Sequence, residues 1–98
     1  MDVRFDLNGT TFIWNRDKAR QNAAKHDGIR FEQAAEAFFD PFLRIEEASR
    51  KGEERGAVIG YDSLGRLLYV VHAEIQEEAI RIISARKATR EEHERYDF

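Results

Sequence analysis

Cysteine is absent, and proline occurs once. Without thiols the chain has no disulfide framework, no zinc–thiolate site and no cysteine nucleophile, a composition that suits a reducing compartment. No apolar run approaches the ~18 residues of a membrane span. The opening Met-Asp-Val-Arg-Phe-Asp lacks the basic and apolar regions of a signal peptide, so a cytoplasmic protein without a membrane partner is expected. Cations are not in excess either: 16 Lys plus Arg face 19 Asp plus Glu, for a net charge of −3. Bulk charge therefore cannot make this chain coat nucleic acid, and any polyanion site must be local.

Enough apolar material is present to build one core. Of the 98 residues, 42% are hydrophobic and 11% aromatic, seven of them Phe. That supports one compact domain spanning residues 1–98, despite the 36% of charged side chains.

Read along its length, the sequence predicts an α+β fold. Residues 3–7 and 10–14 are β-branched and aromatic runs around Asn8-Gly9, a pair that tolerates positive φ and so signals a β-hairpin. In the absence of a secretory signal, Asn8-Gly9-Thr10 is better explained as this turn than as a glycosylation acceptor. Asn15 can cap a helix over residues 16–26, with Asp17 in its first turn and Lys25 and His26 in its last, and Gly28 stops it. Phe31, Ala34, Ala35, Phe38 and Phe39 recur at helical spacing and predict a second helix that ends at Asp40-Pro41, since proline disfavours helical geometry before it. Residues 42–47 read as a strand and 48–54 as a charged loop. Three further strands, 57–61, 67–72 and 79–85, are joined by short connections at 62–65 and 74–78, implying an antiparallel meander. The apolar run Leu67-Leu68-Tyr69-Val70-Val71 predicts a central strand covered by helices on one face, with surface left for a partner on the other. Thr89-Arg90-Glu91-Glu92 is a capping box opening a short helix to about residue 96.

Few residues carry chemistry. Ser84-Ala85-Arg86-Lys87 has the S-x-x-K spacing, but Ser84 ends a strand rather than sitting on the helical turn that chemistry needs. His26, His72 and His93 share no i, i+4 spacing, so no metal site or cofactor is expected. The block Arg81-Ile82-Ile83-Ser84-Ala85-Arg86-Lys87-Ala88-Thr89 is more informative. Arg81 lies among isoleucines and must point off the sheet, toward a cleft, an acidic partner or solvent, with a salt bridge to Glu74, Glu77 or Glu78 as its structural explanation. Arg86 and Lys87 follow at the strand exit. Strand alternation puts Arg81 and Arg86 on opposite faces unless a bend or the strand end brings them together. The face taken by His72 depends on register. Trp14 fits the core or a stacked base.

Taken together, Phe12-x-Trp14-Asn15, Lys18, Asn22, Lys25-His26 and Gly28-Ile29-Arg30-Phe31-Glu32-Gln33-Ala34 resemble the opening of the BrnT toxins. Asp40-Pro41, Arg55, Ile59-Gly60-Tyr61, Gly65-Arg66-Leu67-Leu68, Val70-Val71-His72 and the RIISARKAT block with Glu92 and Tyr96 continue the resemblance over roughly residues 11–97. Asp27 adds a residue, and Arg30 replaces the usual capping Ser. The resemblance implies a small RelE-like fold and an endoribonuclease toxin of a type II toxin–antitoxin pair that inhibits translation. It further implies neutralisation by a ribbon-helix-helix, BrnA-like antitoxin, with operator DNA bound only through the antitoxin complex. Metal-free cleavage by 2′-OH attack would place His72, Arg81 and Arg86 in catalysis and Trp14, Lys25, His26, Arg66 and Lys87 on the RNA, with His26 as the other candidate proton carrier. The alternative is a catalytically weak antitoxin-binding module acting in transcriptional autoregulation.

Overall fold

Local chemistry sets most of the element boundaries. The computed structural model describes residues 1–75 and 78–97. Strands β1 (Asp2–Leu7) and β2 (Thr10–Asn15) form the expected hairpin, with Asn8 and Gly9 at φ 50° and 82°. Asn15 Oδ1 accepts from Lys18 N at 3.0 Å and opens α1 (Arg16–Lys25). Asp27 and Gly28 then turn left-handed, at φ 55° and 70°, and end it. Helix α2 (Phe31–Glu36) starts where the Arg30 N–H donates to Gln33 Oε1 at 2.9 Å, so Gln33 serves where a capping side chain is missing. The second helix is shorter than its periodicity suggested. It tightens into a 3₁₀ turn, Ala37–Phe39, which packs so closely on the sheet that a Cβ on Gly60 would come within 2.5 Å of the Ala37 carbonyl oxygen.

The remaining strands are β3 (Arg44–Glu47), β4 (Gly56–Tyr61), β5 (Leu67–Ile75) and β6 (Ala79–Lys87), followed by α3 (Arg90–Asp97). Strands β5 and β6 outrun their sequence-predicted ends, because ladder bonds continue through Ile75 and Lys87. Of the connection expected at 74–78, Gln76 and Glu77 lie outside the described residues, and so does the candidacy of Glu77 as an Arg81 partner. The sheet order is β1-β2-β6-β5-β4-β3. It is mixed rather than wholly antiparallel: β2 runs parallel to β6, pairing Phe12 with Ile80 and Ile13 with Arg81. No helix among the described residues is long and apolar enough to cross a membrane.

One face of the sheet holds the core. Phe12, Trp14, Val58, Leu68, Val70, Ile82 and Ala85 meet Ile29, Phe31, Ala34 and Ala35 from the α1–α2 side, each large side chain contributing ~1.5–3 kcal/mol on burial. Phe31 stands edge-on to Trp14 at 5.8 Å, and Phe38 edge-on to Phe12 at 5.2 Å. On the other face α3 crosses β4, with Tyr96 edge-on to Tyr61 at 5.3 Å. Asp40 ties these layers together: it accepts from Tyr61 N, Phe42 N and Tyr96 Oη at 2.9, 2.9 and 2.7 Å. Leu67, Leu68 and Val70 are buried and Tyr69 and Val71 half-buried, so the central strand leaves less apolar surface open than its composition suggested.

Beyond Arg81, β2 no longer pairs with β6, and the Asn22 amide takes over. Ala85 N donates to Asn22 Oδ1 at 3.0 Å, and Asn22 Nδ2 donates to the carbonyls of Ala85 at 2.8 Å and Ile29 at 3.4 Å. At 7% exposure, its loss would leave three backbone groups unmet away from water. Asn22→Ala is expected to cost about 2–3 kcal/mol, read as a lower urea midpoint at unchanged m-value.

Candidate active site

The site begins with an irregularity in β6. Val71 pairs with Ser84 but His72 pairs with Ile82, so Ile83 is an extra residue, a β-bulge. The bulge reverses the alternation that would separate Arg81 from Arg86. Arg86 pairs with Tyr69 and Arg81 with Ala73, and residues four apart on β5 share a face. Both arginines therefore stand on the face away from α1 and α2, roughly 13 Å apart at about 3.3 Å per residue.

Arg86 is held on three sides. Its Nη1 and Nη2 donate to Glu92 Oε1 and Oε2 at 2.7 and 2.8 Å, Nη1 also reaches the Lys87 carbonyl at 3.2 Å, and its carbon lies 4.3 Å from the centre of the Tyr69 ring. This end-on grip leaves the Nε–H and one Nη2–H free, the edge a guanidinium offers to a phosphate. Glu92 is in turn fixed by the helix start it caps, accepting from Thr89 N at 2.8 Å while its own N–H donates to Thr89 Oγ1 at 3.3 Å. Burial pushes the Glu92 carboxyl up, but Arg86 and the Thr89 donors outweigh it and hold it below the usual carboxylate range.

Beside Arg86 lies a cleft of about 460 Å³, lined by Arg50, Arg55, Tyr69, Ser84 and Arg86 among others. A second cleft, about 350 Å³, shares Ser49 and Arg55 with the first and adds His72, Glu47, Glu54 and Glu74. Register sends His72 toward the helix side, where its ring meets Phe38 edge-on at 5.0 Å. Gly56 makes this possible, since a Cβ there would stand 3.1 Å from His72 Nε2. Burial lowers the His72 pKa, and Nδ1 is buried without a hydrogen-bond partner. His72 thus lines one cleft from the helix side of the sheet while Arg86 lines its neighbour from the other face, and Arg55 walls both.

The other residues expected at the site are distributed differently. Arg81 is paired with Asp2 rather than with Glu74 or Glu78, through contacts of 3.3 and 2.9 Å. The hairpin brings Asp2 alongside β6 from the far end of the sequence, and both side chains remain partly exposed. Trp14, read as a possible base platform, is 3% exposed, packed between Phe5 and Phe31, and presents no face to a base. Arg66 is locked into the β4–β5 turn by Asp62, its Nε donating to Oδ2 at 2.8 Å. Lys25 and His26 sit at the end of α1, on the opposite side of the sheet from Arg86. Lys87 pairs with Leu68 and follows the helix-side alternation, exposed at the strand end. Sequence reasoning missed Tyr69, Ser84 and Arg55 as lining residues. The available signal for Arg55 was its place among the residues that carry the family resemblance, as the last charged residue before the apolar strand β4.

Three comparisons bear on this arrangement. A family model described as "Ribonuclease toxin, BrnT, of type II toxin-antitoxin system" matches residues 14–92. The crystal structure of the Brucella abortus ribonuclease toxin BrnT superposes with a TM-score of 0.58 at 24% identity, covering 79% of this chain and 94% of that one, and so supports the fold. A search of curated proteins finds no match.

The Arg86–Glu92 pair gives a pH signature. Because Glu92 is depressed in the fold, its contribution is present above the ordinary value of 4.5 and lost as pH falls through the lower folded value. Glu92→Gln is expected to be less stable by about 1–2 kcal/mol at neutral pH, discounted for partial exposure. Urea unfolding at stepped pH should show this deficit shrinking as pH falls below 4.5.

Proposed function

The chain belongs to the BrnT family of ribonuclease toxins of type II toxin–antitoxin systems, and from that membership we propose that it is an endoribonuclease that cleaves RNA without a metal ion and thereby inhibits translation. Residues 1–98 act as one toxin domain in the cytoplasm. The reaction is attack of a ribose 2′-OH on the adjacent phosphate, giving a 2′,3′-cyclic phosphate and a free 5′-OH. Catalysis then requires a group to take the 2′ proton, a group to protonate the leaving 5′ oxygen, and cations for the charge of the phosphorane.

The observation that carries this reading is the bulge at Ile83, which sets Arg81 and Arg86 on one accessible face beside an arginine-lined cleft. Arg86 stabilises the phosphorane through its Nε edge, pre-oriented by Glu92 and Tyr69, so little reorganisation accompanies the reaction. Arg81 takes a neighbouring phosphate, exchanging the exposed Asp2 for it. His72, its pKa lowered by burial, accepts the 2′ proton from the adjoining cleft, and a water molecule protonates the leaving 5′ oxygen. A second reading, an antitoxin-binding module with weak catalysis, draws support from the carboxylates that already pair with both arginines.

Cleavage of an RNA oligomer in the presence of chelator decides between them. A cyclic-phosphate product, with rates reduced about 100-fold in folded Arg86→Ala and less in Arg81→Ala, is the expected outcome. A 5′-phosphate product appearing only with added divalent ion would refute the chemistry, and an intact substrate would favour the binding module.

The antitoxin, a ribbon-helix-helix protein of the BrnA kind, covers the same face with acidic and apolar residues. Its carboxylates replace phosphate near Arg81 and Arg86 while apolar side chains cover Val71 and Ile83, making binding and inhibition one event. Operator DNA is reached only through that complex. Hydrogen exchange should show residues 67–72 and 81–90 gaining protection in the complex, with salt weakening it only in part. Complete inhibition without protection there would place the antitoxin elsewhere.

A further inference from the structure

Arg55 is unexplained by the fold. It immediately precedes β4, and its Nη2 reaches Glu53 Oε2 at 2.5 Å, a carboxylate that is itself two-thirds exposed. Its Nε is buried and has no hydrogen-bond partner. The rest of its surroundings do not answer that donor: the backbone of Arg55 is engaged with Ala48 and Ser49, which fixes where the side chain leaves the chain. The β4–β5 ladder begins one residue later, with Gly56 opposite His72.

Resting on the ribonuclease reading above, we infer that Arg55 is a second phosphate-binding cation, holding the backbone of single-stranded RNA at the junction of the two clefts, between His72 and Arg86. Three observations converge. Arg55 is a wall of both clefts. Its unmet Nε–H is a donor that needs an acceptor. Its ion-pair partner, Glu53, is exposed, so a phosphate approaching the guanidinium meets a partner that solvent already competes for. Glu92, by contrast, is buried under Arg86 and stays in place when substrate binds. The two cations therefore divide the work: Arg86 is rigid and reads the reacting phosphate, while Arg55 exchanges Glu53 for RNA and brings the ribose against His72. A forked guanidinium suits this role because Nε and Nη2 can hold two oxygens of one phosphate.

The test uses the full chain and two RNA oligomers of one sequence, one uncleavable because its ribose carries 2′-O-methyl groups. Binding of the uncleavable oligomer is followed by fluorescence anisotropy from about 50 to 200 mM salt, and a lost phosphate contact lowers the slope of log K against log salt by about 0.7. Arg55→Ala should lower the slope by that amount and cut cleavage of the ordinary oligomer about 100-fold. Arg55→Lys keeps the charge but not the Nε–H, so it should keep the slope and lose most of the cleavage. Unchanged slope and cleavage in folded Arg55→Ala, with both reduced in Arg86→Ala, would overturn the role of Arg55 and leave the ribonuclease reading standing. If Arg55→Ala fails to fold, full cleavage by Arg55→Lys overturns the inference. Wild-type protein that neither binds nor cuts RNA would remove both.

Discussion

One extra residue in one strand determines which side chains this molecule presents on each face of its sheet. If β6 kept strict alternation from Arg81 to Arg86, one guanidinium would be driven into the α1–α2 core, where an unpaired charge is prohibitively expensive. Ile83 absorbs the mismatch, so that Ile82 and Ala85 both remain in the core while Arg81 and Arg86 share the opposite face. The bulge needs anchoring on each side. Before it, β6 is held by β2 and β5; after it, the Asn22 amide supplies the hydrogen bonds that β2 no longer offers. A helix side chain thus completes the sheet at the point where the strand is most distorted, and the basic face inherits its geometry from that clamp.

The elements visible in the sequence are those built by contacts a few residues apart. Asn8-Gly9 forms its turn, Asn15 its cap, and Thr89 with Glu92 its capping box, because each depends on backbone groups within three or four positions. What could not be read depends on separations of many residues. Ile82-Ile83 carries no mark of which isoleucine is the bulge. The partner of Arg81 is Asp2, 79 positions away, so a search among nearby glutamates could not find it. Glu92 was recognised as a capping residue, yet its second use, orienting Arg86, required β6 and α3 to meet. Trp14 shows the converse: its residue type fits either the core or a stacked base, and the β1–β2 hairpin folds it inward against Phe31.

Charge placement explains how an acidic chain keeps a usable basic face. Arg55, Arg81 and Arg86 are each accompanied by a carboxylate, from Glu53, Asp2 and Glu92. These pairings keep like charges from repelling across the sheet in the free protein and cancel much of the long-range field, consistent with a net charge of −3. The carboxylates differ in burial, and that difference sorts how easily each can be displaced. Asp2 and Glu53 are solvated, and exposed pairs of this type are easily exchanged for another anion. Glu92 is 6% exposed and bonded to the backbone of Thr89, so it behaves as part of the scaffold.

The same reasoning bears on how such a site is silenced. An antitoxin that merely screened charge would be lost at moderate ionic strength, since solvated pairs weaken over a Debye length of about 8 Å at physiological salt. Displacing Asp2 and Glu53 with partner carboxylates while covering Val71 and Ile83 would remove water from the new ion pairs, and a desolvated pair is far less sensitive to salt. Inhibitor and substrate would then compete for the same donors, but on unequal terms. RNA can offer phosphates to the arginines without covering the apolar strip between them, whereas a folded protein can do both.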